Sequence, residues 1–553
     1  MFKNQPAGLY VLSLANTGER FGYYTVIAVL VLFLQAKFGF GAAVTGQVYG
    51  GFLAIAYFLP MVGGWIADRW SFSKSVALGM AIMFLGYLVI ALPSPIRSAG
   101  SIVMLVVGLL LVAAGTGLFK GNLQVMIGDL YNDPRYSAHR DTGFNLFYMF
   151  INIGAVFAPI TATVLTNWAL ESDGYVYNML LPQLCNAYLD GNVSVGSQIV
   201  AVAQESGMRV GQDIAAFAES YIDSLSTGYG YGFAVACLSV AFSYLVFFFG
   251  RVTYAHIVND SKKGDKAEQS SAAMPELTPE QTRSRIVALL LVFGVVIFFW
   301  MVFMQNGATL TLFANDCTSP NAYGATRIGF NIWALCVIAV GIFALFGIFQ
   351  NRKPVARCSC VVVFLVCGAL LWYFYIVTPN PVTDILPMMY QQFDPFYVIA
   401  LTPVSLAIFD WMARKGKEPS APRKIGYGMI VAALAYVVMI FASLGCTVEN
   451  GNAYGMVSPN WLMGTYLMLV FAELLLSPIG ISFVTKVAPP KYKGAMMGCW
   501  FGATAVGNYL TSIPMLLWGK MSLPVMWGIL VAVCLLAALF IFSIMKKLES
   551  ATE

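Results

Sequence analysis

Charge is what this chain has least of. Asp, Glu, Lys and Arg make up 10% of its 553 residues, against about 25% in soluble globular domains. Hydrophobic residues account for 59% and mean hydropathy is +0.75. A soluble core cannot absorb repeated apolar runs of twenty or more residues, whereas a bilayer demands about 20 per spanning helix. The chain therefore reads as an all-α polytopic membrane protein. A β-barrel is excluded because its strands would be short and alternating. Histidine is scarcer still. His139 and His256 both fall in loops, which rules out histidine switching inside a bundle. The ten cysteines show no paired spacing, which argues against a disulfide framework or a zinc site. Cys358 and Cys360 form C-x-C at the start of an apolar run and read as small hydrophobes. Metal cluster, nucleophile triad and phosphate loop are missing, so neither an enzyme nor a cofactor is expected. The basic residues sit in short loops, so the net charge of +5 calls for no nucleic-acid partner. The first apolar run contains Glu19 and Arg20 and lacks a cleavage site. It reads as a first span, not as a cleaved signal.

Apolar segments fall at 8–35, 45–67, 74–93, 101–127, 142–168 and 229–250, then at 286–313, 328–350, 358–378, 390–413, 424–445, 461–486, 494–517 and 522–545. That gives fourteen expected spans. The charged stretch 251–285 reads as a linker between an N-terminal bundle, 1–250, and a C-terminal one, 286–553. Of 31 Lys and Arg, five (Lys37, Arg97, Arg209, Arg327, Lys520) lie on one side and two (Arg20, Lys120) within spans. The other 24 lie together, which puts both termini in the cytoplasm by the positive-inside rule. Residues 169–228 form a long outside insert in which Gln198–Ala203 and Ile214–Tyr221 suit short amphipathic helices. The insert is either a surface ornament or a partner-docking element.

Asn16, Glu19, Arg20, Tyr23 and Tyr24 recur at helical spacing and share one face of the first span. A charge at bilayer depth costs at least about 2.5–3.5 kcal/mol. Such a face lines either a water-filled cavity or the bundle interior, as a solute site or as a Glu–Arg lock between helices. Asn145, Tyr148 and Asn152 give the fifth span a polar face as well. Glu473 precedes Ser477 by one turn, just before a helix-breaking Pro478.

These strings carry a specific resemblance. Glu19-Arg20-Phe21-Gly22-Tyr23-Tyr24 resembles the E-x-x-E-R-F-x-Y-Y signature of the proton-dependent oligopeptide transporter family, within the major facilitator superfamily. Gly64-Trp65-Ile66-Ala67-Asp68-Arg69 resembles the superfamily loop motif after span 2, and Gly115-Thr116-Gly117-Leu118-Phe119-Lys120 the family's span 4. Phe147-Tyr148-Met149-Phe150-Ile151-Asn152-Ile153-Gly154 is similar to F-Y-x-x-I-N-x-G of span 5. The segments from Glu473 to Gly480 and from Met496 to Phe501 are similar to spans 10 and 11. The similarity covers twelve of the fourteen expected spans. It implies a twelve-helix core in two six-helix bundles, to which the segments at 328–350 and 358–378 add a hairpin expected to pack outside.

The resemblance further implies di- and tripeptide import by alternating access, coupled to protons, by a monomer in the bacterial inner membrane. Arg20 and Lys120 would hold the peptide carboxylate, with Arg20 suited to bidentate contact, and Glu473 the amine. Asn152 would hydrogen-bond a terminus or carbonyl, while Tyr23, Tyr24, Tyr57, Trp300 and Trp500 would shape the pocket. Asp68 and Arg69 would belong to an inner-loop latch with Lys74, Lys491 and Lys493. Lys37, Gln47 and Arg97 mark the outside.

Three positions depart from the family pattern. Asn16 replaces the first acid of the span 1 signature, Met304 an acid before Gln305, and Asp394 precedes Pro395 where Asn is favoured. Glu19, Glu473 and Asp394 are then the candidate proton carriers. Asp394 either substitutes for a lost acid, pairing with Lys120 or meeting the peptide amine, or coupling is lost and the protein is a facilitator. Transport of another small zwitterion, anion or peptidomimetic is the alternative, and a non-transporting receptor or scaffold a more distant one.

Overall fold

The computed structural model describes residues 5–255, 257, 278–351, 353–383, 385–449, 452–489 and 492–550. His256, Lys491 and most of the 251–285 linker lie outside the described residues, as do the side chains of Asn145, Pro478 and Lys493. The first half contains α1 (Ala7–Phe38), α2 (Ala42–Arg69), α3 (Phe72–Ala91), α4 (Ala99–Leu130), α5 (Arg140–Ser172), the short α6 (Leu181–Leu189) and α7 (Gly196–Glu205), and α8 (Ile214–Phe249). The second contains α9 (Pro279–Phe303), α10 (Thr309–Asp316), α11 (Ile332–Gln350), α12 (Pro354–Val377), α13 (Phe393–Arg414) and α14 (Ala421–Ala442). It ends with α15 (Asn460–Val487), α16 (Lys493–Leu510), α17 (Ser512–Leu517), α18 (Leu523–Ser543) and α19 (Met545–Ser550).

Thirteen helices among the described residues are long and apolar enough to cross a membrane. The expected span at 494–517 is divided between α16 and α17 at Thr511 and falls short of that measure. The expected sixth span starts earlier than 229. Residues Ile214–Tyr221 are not a separate helix but the first turns of α8, whose 36 residues reach about 54 Å at 1.5 Å per residue. Glu219 and Asp223 interrupt its apolar run and hide its start from a hydropathy reading. Gln198–Ala203 lies within α7, as the spacing suggests. Position 478 does not end its helix, which runs on to Val487.

Two apolar cores form, one drawn mainly from each half. In the first, α1 lies against α5 and α8, and α4 against α2 and α3. Glycines set these distances. A Cβ on Gly79 would sit 2.7 Å from the Gly115 carbonyl oxygen, and one on Gly86 2.8 Å from that of Gly108. Small residues permit the close backbone approach that drives helix association in lipid, where no hydrophobic force draws helices together. In the second half, α14 packs on α15 and α18, and α9 on α16. Helices α11 and α12 pair with each other and touch the rest mainly through α11 on α13. Only Cys367 of α12 is buried, so the hairpin sits outside the core.

The end where α1 finishes and α2 begins is capped. Strands β1 (Thr447–Glu449) and β2 (Asn452–Tyr454) pair antiparallel there. Val457 N–H donates to the Cys317 carbonyl at 2.8 Å, and Ala322 and Val382 exchange two backbone hydrogen bonds. A disulfide joins Cys317 to Cys446, with Cα atoms 5.8 Å apart. The expectation that no cysteines pair is thus corrected. The partners lie 129 residues apart and meet only because the helices return their loops to one end, so short-range spacing carries no trace of them.

The insert belongs to this cap and is not an ornament. The Asn186 side-chain amide donates to the Ala36 carbonyl at 2.8 Å, and Arg97 pairs with Asp190. Across to the second half, the Tyr177 hydroxyl donates to Asn315 Oδ1 at 3.2 Å and Gln183 Nε2 to Asp316 Oδ1 at 3.4 Å. Trp518 Nε1 donates to the other oxygen of Asp316 at 3.0 Å. The insert therefore ties the two halves together at the capped end.

Candidate functional site

Between the halves lies a cavity of about 100 Å³, smaller than the roughly 300–1,000 Å³ usual for open small-molecule sites. The first half contributes Tyr23 and Tyr24 from α1, Tyr49 and Tyr57 from α2, and Tyr148 and Asn152 from α5. The second contributes Trp300, Asn306, Gln391, Asp394 and Glu473. The stripe on α1 therefore does face the solute space, through its tyrosines. Tyr49, Leu53 and Tyr57 stand four residues apart on α2, one face of that helix. Tyr49 escaped the sequence reading, although this spacing from Tyr57 signals it.

Two helix breaks position the second-half groups. Helix α9 stops at Phe303, a tight turn covers Met304–Gly307, and α10 resumes at Thr309. The Asn306-Gly307 pair is the turn signal in the sequence. The freed Asn306 carbonyl accepts a hydrogen bond from the Tyr466 hydroxyl at 2.7 Å, and Asn306 Nδ2 donates to Asp394 Oδ2 at 2.9 Å. A second turn, Pro387–Gln392, precedes α13. From it Gln391 Nε2 donates to Thr311 Oγ1 at 3.1 Å and reaches the Ala28 carbonyl of the first half at 3.4 Å. Irregular backbone at membrane depth is tolerated where it borders a cavity. Asp394 stands in the first turn of α13, where the helix dipole favours a negative charge. Its Oδ1 is buried with no hydrogen-bond partner.

The expected cations stand behind the wall. Arg20 is 4% exposed and Glu19 0%. Arg20 Nε donates to Glu19 Oε2 at 2.5 Å and its NH2 group to Oε1 at 2.7 Å. The guanidinium also lies 4.8 Å from the Tyr23 ring centroid. Lys120 Nζ lies 3.8 Å from the Tyr57 ring centroid. The Tyr57 ring in turn sits 6.3 Å from that of Trp300, across the two halves. The suggested Lys120–Asp394 pair does not form, because Asn306 and not Lys120 meets the carboxylate. Neither Arg20, Lys120 nor Glu19 lines the cavity, and neither does Trp500. Trp500 is 2% exposed and packs on Phe293 with centroids 6.2 Å apart. It also occupies the space beside Gly480, where a Cβ would collide with its ring.

Asn152 is 7% exposed, lines the cavity, and its amide donates to the Tyr148 carbonyl at 3.0 Å. Asn16 is buried with an unpaired side-chain nitrogen, and Met304 stands in the cavity wall where an acid was expected. Asp68 and Arg69, by contrast, are exposed at the end opposite the cap. Arg69 lies 3.8 Å over the Trp65 ring, and neither makes an ion pair among the described residues. Of the other latch residues, Lys491 and the side chain of Lys493 lie outside the described residues.

Two helical halves around a shared polar cavity, with broken helices beside it, define a membrane transporter of the major facilitator type. A family model described as the POT family matches residues 73–275 and 369–524, well over half of the chain. The chain belongs to that family. It is 27% identical to an uncharacterised transporter, YclF, of Bacillus subtilis, over 92% of this chain and 88% of that one. It is likewise 27% identical to the peptide transporter YePEPT of Yersinia enterocolitica, over 92% of this chain and 87% of that one. A crystal structure of a peptide transporter POT in complex with sulfate superposes with a TM-score of 0.66 at 19% identity, covering 100% of this chain and 96% of that one. That likeness establishes the fold.

Proposed function

We propose that the chain imports di- and tripeptides by alternating access, coupled to proton entry. The observation that carries this reading is the cavity shared by both halves, with two carboxylates on one side and a tyrosine wall backed by cations on the other. A peptide is a zwitterion, and this polarity matches its two ends. Glu473 takes the amine. Lys120, reached by rotation of Tyr57, takes the carboxylate, joined by Arg20 once Arg20 is released from Glu19. While Glu19 is ionised it engages the guanidinium through two hydrogen bonds. A proton on Glu19 removes that bidentate acceptor and frees Arg20 for the substrate. Asn152 and Tyr24 supply further hydrogen bonds, and Trp300 a packing surface. Trp500 acts from behind, through Gly480. Asp68 and Arg69 form ion pairs across the end opposite the cap when that end closes. The relative from Yersinia, a peptide transporter by name, supports the substrate class.

The same reading gives a monomer in the bacterial inner membrane with both termini in the cytoplasm. The divided segment α16–α17 then completes the fourteen spans, and 251–285 is the cytoplasmic linker between bundles. Reconstituted protein should accumulate labelled Ala-Ala saturably under an inward proton gradient, and Glu473→Ala should abolish it. Uptake no greater than in empty liposomes would remove the proposal. Asn16 and Met304, standing where the family carries acids, favour one second reading: a facilitator that equilibrates peptide without accumulating it. Accumulation above the external concentration separates the two.

A further inference from the structure

The charges on the cavity wall are one-sided. Asp394 and Glu473 both line it, and no Lys or Arg does among the described residues. The cations of the first half are engaged elsewhere, Arg20 by Glu19 and Lys120 by the Tyr57 ring. A single peptide amine balances the charge of a single carboxylate. Glu473 makes no hydrogen bond or ion pair among the described residues, which leaves it open to that amine. Asp394 remains, its Oδ2 held by Asn306 at 2.9 Å and its Oδ1 buried without a donor. A buried carboxylate oxygen left without a donor is costly, so the site favours a peptide that brings a second donor. Aromatic rings surround the same space: Tyr23, Tyr24, Tyr49, Tyr57, Tyr148 and Trp300. Ring faces stabilise a desolvated cation by about 2 kcal/mol or more.

Resting on the peptide-transport reading, we infer that this cavity selects peptides with a basic first residue, and that Asp394 is the residue that sets this selectivity. The amino-terminal ammonium meets Glu473, and the lysyl or arginyl side chain of the same residue meets Asp394 Oδ1, flanked by the tyrosines. The second charge belongs on the first residue because both carboxylates come from the second half, while the cations that suit the carboxyl end back the first. An acidic side chain in the same place would add a third negative charge and be rejected.

The test is competition against labelled Ala-Ala uptake in proteoliposomes of the full chain, at one fixed pH and gradient. Lys-Ala is compared with norleucyl-Ala, which has the same straight chain without the charge, and with Ala-Lys. In the native protein Lys-Ala should inhibit at about tenfold lower concentration than norleucyl-Ala, the effect of one charge-assisted hydrogen bond. Ala-Lys should show less than half of that advantage on a logarithmic scale. In Asp394→Asn the ratio of the two inhibitory concentrations should fall to about one, whatever the remaining uptake. A native ratio near or below one overturns the inference and leaves peptide transport standing. A ratio that survives in Asp394→Asn also overturns it. If that variant transports too little to measure, Lys-Ala and norleucyl-Ala are compared on the purified variant by thermal-shift titration. An unchanged preference there overturns the inference, and an erased one supports it. Should native protein take up no peptide at all, the transport reading falls and this inference with it.

Discussion

The two halves of the bundle handle charge in opposite ways. The first neutralises its own: Glu19 grips Arg20 with two hydrogen bonds, both side chains almost fully out of solvent, and Lys120 rests on Tyr57. The second presents its charge to the cavity through Glu473 and through Asp394, one of whose oxygens has no partner. The second half also fastens its loops at the capped end with the Cys317–Cys446 disulfide. The first reaches the cap through hydrogen bonds and the Arg97–Asp190 pair of its insert. On the proposed reading one half holds its charges in reserve while the other is poised to bind, and binding includes freeing what the first half keeps.

The sharpest way to break this asymmetry is to orphan Glu19. Arg20→Ala leaves a fully buried carboxylate without its counter-charge, a loss of about 3–5 kcal/mol for such pairs. We expect a large fall in the thermal midpoint of the purified protein, partly rescued in the double variant Glu19→Gln, Arg20→Ala. No rescue would mean that the pair is not the first half's own lock. Next comes the cap. Cys317→Ser, or reduction of the native protein, should lower the midpoint by an amount corresponding to roughly 2–4 kcal/mol, and reduction should then leave the variant unaffected. An equal response of variant and native protein to reductant would place the effect elsewhere. In the second half, Glu473→Gln removes one charge-assisted contact, about 1.5–3 kcal/mol. Peptide affinity should weaken by about 10- to 100-fold, read as the half-saturating concentration of Ala-Ala uptake. The smallest effect belongs to the wall between the halves. Tyr57→Leu removes the ring beneath Lys120, a contribution of about 0.5–2 kcal/mol. It should alter affinity by less than Glu473→Gln does, and the reverse order would contradict the comparison.

Much of this was legible in the residues. The spacing of Glu19, Arg20, Tyr23 and Tyr24 places them on one face of α1, and the tyrosines indeed border the cavity. Glu473 and Asn152 also announce themselves as polar groups inside apolar runs. The direction in which a long side chain turns is another matter. Arg20 folds back on its neighbour and Lys120 rises against Tyr57, choices made by packing that no spacing encodes. The reach of Gln183 to Asp316 and the pairing of Cys317 with Cys446 depend on loops meeting at one end. The break at Asn306 is intermediate. The Asn-Gly pair marks a turn, but its consequence, an amide delivered to Asp394, needs α13 in place beside it.

The central claim is that peptide and proton move together across the membrane. Its most direct test is internal acidification of proteoliposomes, followed with a trapped pH dye while Ala-Ala is added outside under an inside-negative potential. The account predicts acidification that depends on peptide, saturates with it, and is lost in both Glu19→Gln and Glu473→Gln. Peptide uptake with no accompanying proton entry would contradict it.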